Sequence, residues 1–154
     1  MTLYEALCVE LNQQGVEVYE VPLLEKTKGL YSDNVIWINQ HIKSEREKAC
    51  VLAEEHGHYL TTAGNILDQC KLSNRKQEQL ARRKAYEKLI PLQRLVEASR
   101  EGIRNRYELA EYLDVTEDFL EAALSYYKGK YGLFTKWTSY IIYFEPLGVF
   151  ESYE

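Results

Sequence analysis

The 154-residue chain contains only 3 proline, 8 glycine and 3 cysteine residues, and each scarcity excludes something. With so little Pro and Gly, and with 45% apolar and 28% charged residues, the chain is neither collagen-like nor a low-complexity or disordered segment. The cysteines, Cys8, Cys50 and Cys70, are odd in number and share no C-x-x-C spacing. A disulfide framework and a zinc ribbon are both unsupported, and reduced, mostly buried thiols are expected. No window of 18 apolar residues occurs, and Met-Thr-Leu-Tyr-Glu at the start is not a basic run followed by an apolar stretch. Secretion and membrane spanning therefore lack support, and the cytoplasm is the expected compartment. Positive charge is not in excess either: 19 basic against 24 acidic residues, net −5, argue against nonspecific nucleic-acid binding by the chain as a whole.

What is present suits one compact domain over residues 1–154. A chain of this length buries roughly two-thirds of its unfolded surface, enough for a core without a structural metal, so any metal would be catalytic. The charge is uneven. Residues 71–106 hold eleven Lys/Arg against four Asp/Glu, while the segments on either side are acidic. That run reads either as a solvated helical face or as a steering surface for an acidic partner.

Leu3, Ala6, Leu7 and Leu11 recur at helical spacing behind Thr2, with Gly15 as the stop, and predict a first helix over 3–14. Residues 16–22, ended by Pro22, read as a strand. A polar, turn-forming stretch through Lys26, Gly29 and Asp33-Asn34 leads to the apolar run 35–38, a second strand. Ser44 and Glu47 have capping-box spacing and open a helix to about Leu60, with Gly64 as stop signal. Further helices are predicted over 74–90, ended by Pro91, and over 92–99, broken by Gly102. A helix from Arg106 to Leu113, a turn at Asp114-Val115 and a helix from Thr116 follow. The run 140–144 is one more strand, closed by Pro146 and Gly148. Strands flanked by helices imply α+β.

The helix at 44–60 contains Glu54-Glu55-His56-Gly57-His58. A zinc-hydrolase helix of the H-E-x-x-H type needs two ligands at i and i+4, which lie on one face about 6 Å apart, and a carboxylate beside the first as general base. Glu54 and His58 have the ligand spacing and Glu55 the position of the base, with glutamate in place of the first histidine. Carboxylate oxygen is a legitimate zinc ligand. Alternatively, both acids simply face solvent and His58 is a surface histidine. On the helical wheel, Ala49, Leu52, Ala53, His56, Gly57 and Leu60 form one stripe, with Glu54 and His58 opposite, near Val51. Val51 and Cys50 on the remaining faces imply a helix covered nearly all round, and buried carboxylates need partners. His56, on the stripe, reads as a packed core histidine and His41 as a surface one. In the helix at 74–90, Glu78 sits on a stripe with Ala81, Arg82, Ala85 and Leu89, where it supplies either a third ligand or a salt bridge to Arg82.

The run from Val51 to Thr62, followed by Glu78 through Pro91 with Ala81, Ala85 and Leu89 between, resembles the ImmA/IrrE family of metallo-endopeptidases, specifically short forms from Gram-positive phages and mobile elements. The resemblance covers roughly residues 30–130. It implies an α+β fold: a mostly helical zincin-like peptidase core with a small β-sheet over 1–92, a helix-turn-helix-like segment over 93–131 and a terminal strand over 132–154. It also implies one zinc ion held by Glu54, His58 and Glu78, with Glu55 as the catalytic base that takes a proton from the attacking water.

Tyr107 to Leu124 carries the Leu-Ala-x-x-Leu-x-Val pattern of a helix-turn-helix, with Thr116 as cap. The would-be recognition helix offers Glu117, Asp118 and Glu121, which phosphates repel, so a packing or partner-docking role is expected and not DNA reading. The resemblance implies cleavage of a specific cytoplasmic protein, the helix-turn-helix repressor of a prophage or mobile element. The alternative is a family member without turnover that acts by binding that repressor, an antirepressor.

Overall fold

The computed structural model describes residues 1–62 and 74–152. Gly64 and Cys70 lie outside the described residues. The chain divides into two compact units, residues 1–85 and 86–154, and the architecture is α+β.

The first unit opens with α1, Leu3–Gln13, whose N-terminus is closed by a complete capping box: the Thr2 hydroxyl accepts from the Glu5 amide and the Glu5 carboxylate accepts from the Thr2 amide. Three strands follow, β1 Glu17–Val21, β2 Gly29–Ser32 and β3 Val35–Asn39. Their order is β1-β3-β2, with β3 parallel to β1 and antiparallel to β2. The expected strand at 35–38 is therefore the central one, buried at Ile36 and Ile38. The stretch read as a turn conceals β2. Asp33-Asn34 is indeed a turn, with Asp33 at φ 52°. The four residues before it pair with β3 although none is fully buried, so their apolar pattern carried no signal.

One side chain holds the loop that leads into β2. Asn39, 3% exposed, donates from Nδ2 to the carbonyls of Leu23, Leu24 and Thr27 and accepts at Oδ1 from the amides of Leu23 and His41. Asn39→Ala leaves several of these buried groups unsatisfied and is expected to cost about 3 kcal/mol. The readout is a lower urea midpoint at unchanged slope; an unchanged midpoint would show that the loop does not depend on this residue.

Helix α2, Glu45–Thr62, packs against α1, β2 and β3. The Ser44 hydroxyl accepts from the Glu47 amide at its start. Helix α3, Asn74–Leu89, contains the unit boundary. It meets α2 where Gly57 lies against Ala81, so closely that a Cβ on Gly57 would stand 2.3 Å from the Ala81 carbonyl oxygen.

The second unit comprises α4 Leu92–Arg100, α5 Arg106–Leu113, α6 Glu117–Tyr131 and the strands β4 Phe134–Trp137, β5 Tyr140–Phe144 and β6 Leu147–Glu151. Asn105 and Thr116 cap α5 and α6 through their side chains. Asp114 makes the turn between them in the left-handed conformation, at φ 60°. The strand expected at 140–144 is the middle of an antiparallel sheet ordered β4-β5-β6. Pro146 and Gly148 do not close it. Glu145-Pro146 turns the chain back and Gly148 pairs with Tyr143 inside β6, a strand whose apolar Leu147, Val149 and Phe150 give it enough surface to pair. Ile142 and Phe144 are buried on its inner side, and the Tyr127 hydroxyl donates to the Ile90 carbonyl at 2.7 Å.

Candidate metal centre and active site

Helix α2 is covered all round through Ala49–Ala53, each residue at most 7% exposed, and Glu54 and Glu55 follow at half-buried positions. His56 is buried, its ring stacked on Tyr59, whose hydroxyl donates to Asn34. His41 is exposed. Leu60 departs from the expected stripe: it is 49% exposed, since the apolar cover ends before the last turn of the helix.

Glu55 lies against the first residue of β2. A Cβ on Gly29 would be 2.8 Å from Glu55 Cγ and 3.0 Å from Val51 Cγ1, so only glycine lets strand and carboxylate approach this closely. Burial, reinforced by the charges of Glu78 and Glu54, pushes the Glu55 carboxyl up to about 7. That value suits a group that must accept a proton near neutral pH. Burial also raises the Glu54 carboxyl; Arg82 opposes the rise, Glu78 adds to it and Lys28 opposes it again.

His58 completes the cluster. Its Nε2 stands 3.0 Å from Glu78 Oε1 across the α2–α3 contact, and its ring stacks on Tyr31 of β2 with centroids 5.5 Å apart and planes 6° from parallel. The ion pair of Glu78 is thus to His58. The close approach at Gly57 and Ala81 explains it: the backbones meet one residue before His58 and one turn after Glu78, so side chains beside the contact need only short reach. Gly29 and Tyr31 escape sequence reasoning because β2 itself does.

A shared zinc with ligand bonds of about 2.0–2.1 Å in a tetrahedral array would hold two donor atoms about 3.3 Å apart. The separation of His58 Nε2 and Glu78 Oε1 is close to that, so imidazole and carboxylate fit two positions around one divalent ion. Glu54 precedes His58 by one helical turn and lies within the field of Glu78 and Arg82. No group of three His, Cys, Asp or Glu able to hold a metal forms among the described residues. Nor is any helix among them long and apolar enough to cross a membrane.

The sequence profile Peptidase_M78, described as IrrE N-terminal-like domain, matches residues 11–125. No curated protein matches the chain. The matched span contains Glu54, Glu55, His58 and Glu78 together with α5 and most of α6. By that match over most of its length, the chain belongs to the Peptidase_M78 family of metallopeptidases.

Proposed function

We propose that the chain is a zinc-dependent endopeptidase that cleaves a specific cytoplasmic protein, the helix-turn-helix repressor of a prophage or mobile element, and thereby relieves repression. The observation that carries this reading is the 3.0 Å approach of His58 to Glu78 one turn of helix from a carboxylate whose proton affinity is raised to about 7. His58 and Glu78 would hold the ion, with Glu54 as its further ligand. A bound divalent ion would polarise the scissile carbonyl and acidify water. Glu55 accepts the proton of the attacking water and returns it to the leaving amine. Tyr31 keeps the His58 ring parallel to its own, and Gly29 sets the depth of the Glu55 carboxylate. The edge of β2, unpaired among the described residues and beside these groups, suits pairing with an extended substrate. The exposed Glu117, Asp118 and Glu121 favour protein docking over DNA reading by α6.

The test is incubation of the purified protein with the repressor of its own element, followed by mass spectrometry of the products. Cleavage at one bond, lost with a chelator and restored by zinc, is the expected result. The second reading, an antirepressor without turnover, draws on the missing third donor among the described residues. It is adopted if repression is relieved while the repressor remains intact and Glu55→Gln works as well as the wild type.

A further inference from the structure

The second unit holds a groove of about 420 Å³ between β6 and the end of α4 with the 101–105 loop. One wall presents Leu95, Ile103 and Leu109, and the strand wall runs from Leu147 to Phe150. Among the described residues strand β6 is an edge: it pairs with β5 alone. Backbone geometry shows which groups that edge offers. The Phe144 amide donates to the Leu133 carbonyl and the Ser152 amide to the Ser139 carbonyl. Residues 140, 142 and 144 therefore turn their backbone groups toward β4, and residues 148, 150 and 152 bond to β5. It follows that the N–H and C=O groups of Leu147, Val149 and Glu151 point outward, and two of these residues, Leu147 and Val149, line the groove together with Gly148 and Phe150.

Edge strands that must stay unpaired are ordinarily guarded by lysine or proline. The opposite edge has Lys136 in β4, whereas Leu147–Glu151 contains neither residue. The charge at the groove is also specific. Residues 86–154 carry twelve acidic and eight basic residues, yet the one charged side chain among the described lining residues is Arg104. Its Nη1 donates to the Ser99 carbonyl at 3.2 Å, which holds the guanidinium at the rim with further N–H groups to offer. Arg100, also exposed, lies on the adjoining end of α4.

We propose that this groove docks an extended polypeptide segment of a partner protein, apolar at its centre and flanked by carboxylates, which adds to β6 as a further strand. Main-chain pairing to Val149 supplies affinity, the apolar wall accepts alternate side chains, and Arg104 selects the acidic flank. This site stands apart from the hydrolytic reading and does not depend on it.

The experiment is fluorescence anisotropy on the full chain with fluorescein-labelled Asp-Val-Ile-Val-Glu as probe. Comparison probes are the same peptide with lysine at both ends and two acidic forms N-methylated at the Ile or at both Val amides. The acidic peptide is expected to bind saturably and the lysine form at least about tenfold more weakly. One of the two methylated forms should lose about tenfold, and Arg104→Glu should lose the acid preference. Val149→Pro should abolish binding with its circular dichroism unchanged; should that variant misfold, the methylated probes and Arg104→Glu still decide. Equal binding of all the probes, or no binding of the acidic peptide below about 1 mM, overturns the proposal. So does concentration-dependent dimerisation that the acidic peptide fails to displace, which would assign the groove to a second copy of the chain.

Discussion

Replacing Glu55 by glutamine is expected to slow peptide-bond cleavage by about 10²–10⁴-fold, the usual worth of a positioned general base, while thermal stability and bound zinc stay as in the wild type. The amide keeps the shape of the carboxyl and so preserves its packing against Gly29 and Val51, but it cannot take a proton from water. Removing a half-buried acid whose proton affinity is already raised by burial and by Glu78 and Glu54 should not destabilise the fold. Single-turnover cleavage of the proposed repressor substrate, alongside elemental analysis and a melting curve, separates these quantities. A variant that cleaves at the wild-type rate would remove Glu55 from the chemistry. Glu54→Gln gives the contrasting pattern if Glu54 is a ligand: metal content falls together with activity.

Gly57→Ala is expected to have the largest effect on stability, a loss of about 3 kcal/mol. In an exposed helix the same change would stabilise by up to about 1 kcal/mol. Here the new methyl would stand 2.3 Å from the Ala81 carbonyl oxygen and 3.0 Å from Ala81 Cα. Both are backbone, which no side-chain rotation can relieve. Helix α3 must move away from α2, and overpacking of that kind outweighs the gain in helix propensity. The same displacement would pull Glu78 away from His58, now 3.0 Å distant. The expected signature is a lower melting temperature together with weakened binding of the proposed metal. Melting and metal content equal to the wild type would show that the two helices do not meet here as described.

The elements legible in the sequence were those whose burial is periodic along the chain. Helix α1, with its Thr2 cap, and α2, with its apolar run before Glu54, declared their ends and faces within a few residues. The αL turn at Asp114 with Thr116 behind it was equally local. The three strands that went unread, β2, β4 and β6, share a different property. Each lies at the edge of a three-stranded sheet and is half exposed, so its residues need not alternate cleanly; β1 is an edge as well, and only its valines and the closing Pro22 made it legible. Pro146 and Gly148 look like a strand end because local turn chemistry is the same whether the strand stops or the chain folds back on itself.

The site divides along the same line. Glu54, Glu55 and His58 could be placed on one helix from their numbering alone, since helical geometry relates neighbours three and four apart whatever the rest of the chain does. The small residues Ala81 and Ala85 likewise marked the face of α3 that could come close to another helix. Which carboxylate His58 would meet, that Tyr31 would lie flat on its ring, and that Gly29 would bound Glu55 were decided by tertiary structure. These contacts join residues 20 or more apart in the chain, and their distances follow from how backbones pack, a quantity that no local pattern of residue types encodes.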